Sequence, residues 1–199
     1  TASGYLANVM REIAPANRAE VEARIYTMTQ NHPLPSCRIQ LMRLFMQNAI
    51  SEPMVKKLYI LWQQQSDKHL NRQDYTTLAY ELANRMPLES EQILRTQRAR
   101  IDDPDRLRQF DFISRAAVSD TARLDTLFNS LLAAENRRIE PWTTAVIRYL
   151  NHPLREDQSV KYIRPGLEVL EEVQRTGDIF FPKNWAAALL GNHLSSSAS

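Results

Sequence analysis

The residue types that could carry chemistry in this chain are four histidines, one cysteine and several clusters of acids and bases. His32 and His152 stand before prolines, His69 lies in DKHLNR and His193 lies near the end. None belongs to an HExxH pair, the i, i+4 spacing that turns two imidazoles to one helical face around zinc. With Cys37 alone and no paired histidine, the sequence offers no metal site of its own, and His152 reads as a loop imidazole bonded to backbone. No nucleophile elbow or dinucleotide fingerprint occurs, and four glycines are too few for a glycine-rich phosphate loop. Glu168, Glu171 and Glu172 form a carboxylate cluster from which an acid pair is imaginable. Glu168 and Glu172, however, share one helical face opposite Leu167, Leu170 and Val173, which is the pattern of a solvated face. Arg95, Arg98, Arg100, Arg106 and Arg108 are interrupted by Asp102, Asp103 and Asp105 and lack stacking aromatics, so no nucleic-acid face is expected. No catalytic residue emerges.

The elements that would position any of these groups are helices. Leu, Ala, Arg, Glu and Gln dominate, residues that lose little rotamer freedom in a helix. Tyr75, Leu78, Ala79, Leu82 and Met86 recur at i, i+3, i+4, i+7 and i+11; Leu124, Leu127, Phe128 and Leu131 repeat the pattern, as do Val55, Leu58, Tyr59 and Trp62. Residues 39–50 are apolar nearly all round and predict an inner helix. Starts are marked by Asp103-Pro104-Asp105, by Asn71 with Asp74 as a capping box, by Ser51-Glu52-Pro53 and by Glu140-Pro141. The tetrapeptide NHPL occurs at 31–34 and 151–154, where Asn suits a helix end and Pro blocks continuation. The fold expected is all-α: a superhelix or HEAT-like or armadillo-like stack of antiparallel helix pairs, about ten helices, forming a single domain over 1–199.

Twenty-five bases against twenty-three acids leave charge near balance, but twenty of the bases are Arg, the residue suited to bidentate ion pairs at packed interfaces. One cysteine excludes an internal disulfide framework. No apolar run reaches the roughly 18–20 residues of a membrane span, and no charged-then-apolar leader opens the chain. The start at Thr1 instead of Met predicts a fragment of a larger chain. Neither cytoplasm nor periplasm is favoured.

QRTGDIFFPKNW, residues 174–185, reads as a turn between two helices. Gly177 is expected to close the first in the left-handed conformation, Ile179, Phe180 and Phe181 to plug the core, and Pro182 to restart a final helix through Trp185 and Leu189.

Four stretches then go together: DYTTLAYELANRMP (74–87), DPDRLRQFDFISRA (103–116), NRRIEPWTTAVIRYLNHPLR (136–155) and YIRPGLEVLEEVQRTGDIFFPKNW (162–185). In this order, over roughly residues 70 to 193, the chain resembles the C-terminal region of bacterial zinc aminopeptidases of the aminopeptidase N family. Thr143, Asn151 and Gly166 depart from the family pattern. The resemblance implies an exopeptidase whose catalytic domain lies upstream, carrying HExxH, a third glutamate ligand and a Gly-Ala-Met-Glu-Asn segment for the substrate's amino terminus. Zinc would sit there and not in this chain. The present residues would form the helical superhelix that packs on that domain, walls the cavity and restricts it to peptides with free amino ends. Arg137, Arg138, Lys161, Arg164 and Arg175, dense beside the recognisable stretches, are the candidates for the cavity wall or for interdomain ion pairs. The competing expectation is a free-standing helical-repeat adaptor that grips a protein partner on a concave face.

Overall fold

Helix starts fall where the local chemistry puts them. Asn71 accepts from the Asp74 N–H and Asp74 returns the bond to the Asn71 N–H, a complete capping box. Asp103 accepts from Arg106 N–H at 2.8 Å with Pro104 at the first helical position. Both NHPL copies form the same stop: the imidazole Nδ1 of His32 and of His152 accepts the backbone N–H two residues on, each at 3.2 Å. Proline removes the next donor and the histidine supplies an acceptor to the amide after it.

The structure, a computed structural model, describes residues 13–193. Every regular element among them is helical, with no strand. The helices are α1 (Pro15–Asn31), α2 (Pro35–Asn48), α3 (Glu52–Gln64), α4 (Arg72–Arg85), α5 (Ser90–Ala99), α6 (Pro104–Ile113), α7 (Thr121–Ser130), α8 (Glu140–Leu150), α9 (Glu156–Ser159), α10 (Ile163–Glu168), α11 (Leu170–Thr176) and α12 (Phe181–Leu190), with short 3-10 turns between several of them. None is long and apolar enough to cross a membrane. The chain divides into two compact units, 1–86 and 87–199.

In the first unit α1 pairs with α2 and α3 with α4, and the pairs meet through α1 on α3 and α2 on α4. The innermost helix is α4, not the 39–50 stretch. In α2 Met42, Phe45 and Met46 are buried, whereas Ile39, Leu41 and Leu44 are half-buried. In α4 almost every residue from Asp74 to Asn84 is buried, polar ones included. Most of those polar groups have hydrogen-bond partners, which is what permits their burial. Thr76 Oγ1 donates to Arg72 O and Asn84 Nδ2 to Tyr80 O, while Arg85 pairs with Glu81 on the next turn. Arg43 grips Asp74 through Nε at 2.7 Å and a terminal nitrogen at 3.1 Å. The start of α3 is capped from outside its own sequence: the Glu22 carboxylate, 1% exposed, accepts the Ile50 and Ser51 N–H groups and the Ser51 hydroxyl.

The second unit is organised around α8, which touches α6, α7, α12 and the turn at Ser114–Ala116. Val146, Ile147 and Leu150 of α8 lie at or below 1% exposure, as do Leu127, Phe128, Trp185 and Leu189 around them.

Candidate functional site

The stretch from Arg137 to Trp185 contains all five basic candidates, and the structure gives them different surroundings. Arg137 is 3% exposed. One of its terminal nitrogens donates to Leu131 O at 2.8 Å and to Leu132 O at 2.7 Å. The other lies 3.0 Å from Glu172 Oε2 but off the hydrogen-bond line, so that contact is one of charge. The guanidinium sits 5.6 Å from the Trp185 ring centroid, a cation–π arrangement. Arg137 therefore closes the 131–137 loop and ties it to α11 and α12. Glu172 is drawn to it, half-buried, while Glu168 and Glu171 face water.

Lys161 is exposed and bonds Asp125 Oδ2 at 2.7 Å, and Tyr162 donates to Asp125 Oδ1 at 2.6 Å. Arg164 is exposed and holds Glu168 at 3.0 Å one turn on, with both side chains largely in water. Arg138 and Arg175 are exposed. Arg137, Lys161 and Arg164 thus each hold a different carboxylate.

Two constellations that sequence reasoning missed look superficially reactive. In the first, Lys161 and the Tyr162 hydroxyl hold the Asp125 carboxyl below the ordinary 3.8, while burial and the Asp125 hydrogen bond push the Tyr162 phenol above its ordinary value of 10. Both shifts lead away from neutrality, whereas a proton-transfer group needs an affinity near the working pH. The trio is a tie between the Val160–Tyr162 turn and α7, reinforced by stacking of Tyr162 on Phe128 at 4.4 Å. In the second, His193 Nε2 lies 2.8 Å from Asn151 Oδ1 and 3.5 Å from Ser159 Oγ. Ser159 is 1% exposed and its hydroxyl donates to Arg155 O, so no substrate reaches it. Arg155 is a further buried hub. Its terminal nitrogens donate to Ala116 O at 2.8 Å and Val118 O at 2.5 Å, and burial lowers its pKa to about 10, leaving it charged at neutral pH. No spacing rule announces the long-range contacts among these, which join residues 34 to 42 positions apart.

The 174–185 turn corrects two expectations. Gly177 has φ −100° and ψ 174°, an extended conformation that any residue adopts. Glycine is needed there for space: a Cβ would lie 2.5 Å from the Phe181 ring and 2.9 Å from Val173 O. Of the three apolar residues only Phe181 enters the core, at 3% exposure; Ile179 is 86% and Phe180 65% exposed. The reason is the turn itself. Asp178 receives the Phe180 N–H at 2.7 Å and gives its own N–H to Glu140 at 2.9 Å, so α12 begins at Phe181, and only from there do side chains face inward. Phe181 then meets Trp185 one turn on, edge to face at 6.1 Å. The segment before the turn is also two helices, broken at Val169, instead of one long one.

The departures from the aminopeptidase pattern are all interior. Thr143 is fully buried and bonds Ile139 O within α8. Asn151 is fully buried, donates to Ile147 O and receives Asn192. Gly166 lets Leu189 approach to where a Cβ would stand 2.7 Å away, and its carbonyl accepts Trp185 Nε1–H at 2.9 Å.

Among the described residues no group of three or more His, Cys, Asp and Glu side chains is placed to hold a metal ion. Nδ1 of His32 and of His152 accepts a backbone N–H. No step through a metal follows from this chain. No family model matches the sequence, and neither does any curated protein or solved structure.

Proposed function

We propose that this chain is the C-terminal helical domain of a zinc aminopeptidase of the aminopeptidase N type, packing on a catalytic domain of the same polypeptide and helping to wall its peptide cavity. The observation that carries the proposal is the 174–185 turn. It lies in one of the four stretches that resemble that family, and it holds two large apolar side chains, Ile179 and Phe180, out of the core beside a hydrogen-bonded turn. Apolar surface held out in this way suits a partner surface. The all-helical build agrees with the reading. So does the spending of Arg137 and Arg155 on internal carbonyls, which makes the second unit a scaffold and leaves Arg138, Arg164 and Arg175 at the surface to meet an acidic neighbour or a peptide.

The test is to express the reading frame as far upstream of Thr1 as it runs, and to assay it beside the 199-residue chain against aminoacyl p-nitroanilides and short peptides. Hydrolysis by the longer product alone, abolished by chelation, is the expected result. Hydrolysis by the 199-residue chain unaided, or an initiator Met directly before Thr1, overturns the reading. Replacing Ile179 and Phe180 with Asp in the longer product is expected to lower its melting temperature without unfolding the second unit.

A further inference from the structure

The first unit contains a feature that the scaffold reading does not use. An open cleft of about 360 Å³ lies between α1, α2, the end of α3 and the 66–70 loop. Its volume falls within the range of sites that hold small organic ligands, roughly 300–1,000 Å³. One part of the wall is apolar, from Ile39, Met42, Leu61 and Leu70. Another carries the charges of Arg38, Lys68 and Asp67 beside the His69 ring.

Three details separate this cleft from a chance surface dent. First, the Nε–H of Arg38 is buried and has no acceptor. Protein covers that Nε–H, so what Arg38 offers a ligand from the cleft wall is the terminal nitrogens of its guanidinium, to which a charged acceptor forms the stronger bond. Second, the loop that forms the charged wall is held before any ligand arrives: the Tyr75 hydroxyl receives the Asp67 N–H at 3.0 Å and donates to Asp67 O at 3.1 Å, and Asp67 Oδ1 accepts the His69 N–H at 2.8 Å. Third, two permanent cations, Arg38 and Lys68, line the cleft with a single carboxylate, Asp67. The Asp67 carboxylate, after burial, helps to raise the Tyr26 phenol, so Tyr26 stays a neutral hydroxyl beside the site.

We propose that this cleft binds a small organic carboxylate with an apolar tail, its carboxylate on the Arg38 guanidinium next to Lys68 and its tail on Ile39, Met42, Leu61 and Leu70. Guanidinium matches carboxylate geometry with parallel N–H donors, which ammonium cannot do. The apolar wall disfavours a fully hydrated inorganic anion, and the half-buried guanidinium disfavours a neutral apolar molecule.

Titration of the 199-residue chain with hexanoate, followed by amide and arginine Nε–H resonances, tests this. Saturable shifts are expected in residues 26–42 and 66–70 and at Arg38 Nε–H, with a dissociation constant on the order of millimolar. Arg38→Gln is expected to weaken binding by about tenfold, and Arg38→Lys by nearly as much because an ammonium has no parallel pair of donors. Lys68→Gln, on the exposed loop, supplies a variant that keeps the buried side chains and is expected to weaken binding by about threefold, as the loss of a solvent-screened charge. No saturable shift at these residues overturns the proposal. So does unchanged affinity in both Arg38→Lys and Lys68→Gln, or binding of hexanol or inorganic phosphate at the same residues as tightly as hexanoate. None of these readouts involves peptidase activity, so the proposal and the accessory-domain reading fail or stand separately.

Discussion

Replacing Arg137 with Leu removes a guanidinium from the interior and leaves its partners in place, which makes the cost calculable. The Leu131 carbonyl loses its guanidinium donor in a buried setting and the Leu132 carbonyl loses one in a part-buried setting. Stranding a buried acceptor costs about 1–3 kcal/mol, so the two together account for about 3 kcal/mol. The Glu172 side chain is 35% exposed and its contact lacks hydrogen-bond geometry, so screening limits that pair to less than about 1 kcal/mol. Loss of the cation–π contact with Trp185 adds about 1 kcal/mol, which the better packing of Leu roughly offsets. The net expectation is a loss of about 3 kcal/mol, close to a 150-fold increase in opening, confined to the second unit. Native-state hydrogen exchange of the α8 and α12 amides reads this opening without interference from the first unit. Arg138→Leu is the control: the neighbouring side chain is exposed, and its removal is expected to change exchange by less than about 0.5 kcal/mol. A loss under about 1 kcal/mol for Arg137→Leu, or an equal loss for Arg138→Leu, refutes the assignment of Arg137 as the internal tie.

Gly166→Ala sets a helix-propensity gain of about 1 kcal/mol against a methyl placed 2.7 Å from Leu189 Cδ2 in a fully buried pair, so a net loss of about 1–2 kcal/mol by urea unfolding is expected, and stabilisation would show that Leu189 has room to move. Folding holds the Asp125 carboxyl below 3.8, so in acid the unfolded chain binds more protons than the folded one; the stability from the Lys161–Asp125–Tyr162 tie is present above about pH 4 and is lost as pH falls through the depressed folded value. Asp125→Asn is expected to flatten the acid limb of stability against pH, and an unchanged limb would show that the tie contributes nothing.

How much of this was legible before the fold was seen follows from the range of the interactions. The helical class, the start signals at Asn71, Asp103, Glu52 and Glu140, and the restart at Pro182 were all readable, because capping and proline act within three or four residues. The NHPL repeat was readable as a stop, although the imidazole acceptor that completes it was not. Reading failed where polarity was taken as exposure. Helix α4 carries Asp74, Tyr75, Thr76, Glu81 and Asn84 into the interior with Arg43, the Asp67 backbone, Arg85 and its own carbonyls as partners. Arg137, a candidate for the cavity wall or for interdomain ion pairs, is buried in the second unit with the Leu131 and Leu132 carbonyls as partners.

Local chemistry along the chain therefore determined that this protein is helical and where most helices begin. Which residues are inside, that Ile179 and Phe180 stay out while Arg137 and Arg155 go in, was decided only by tertiary structure. Burial of a polar group depends on a partner's presence in space, and these partners lie as many as 39 residues away in the chain.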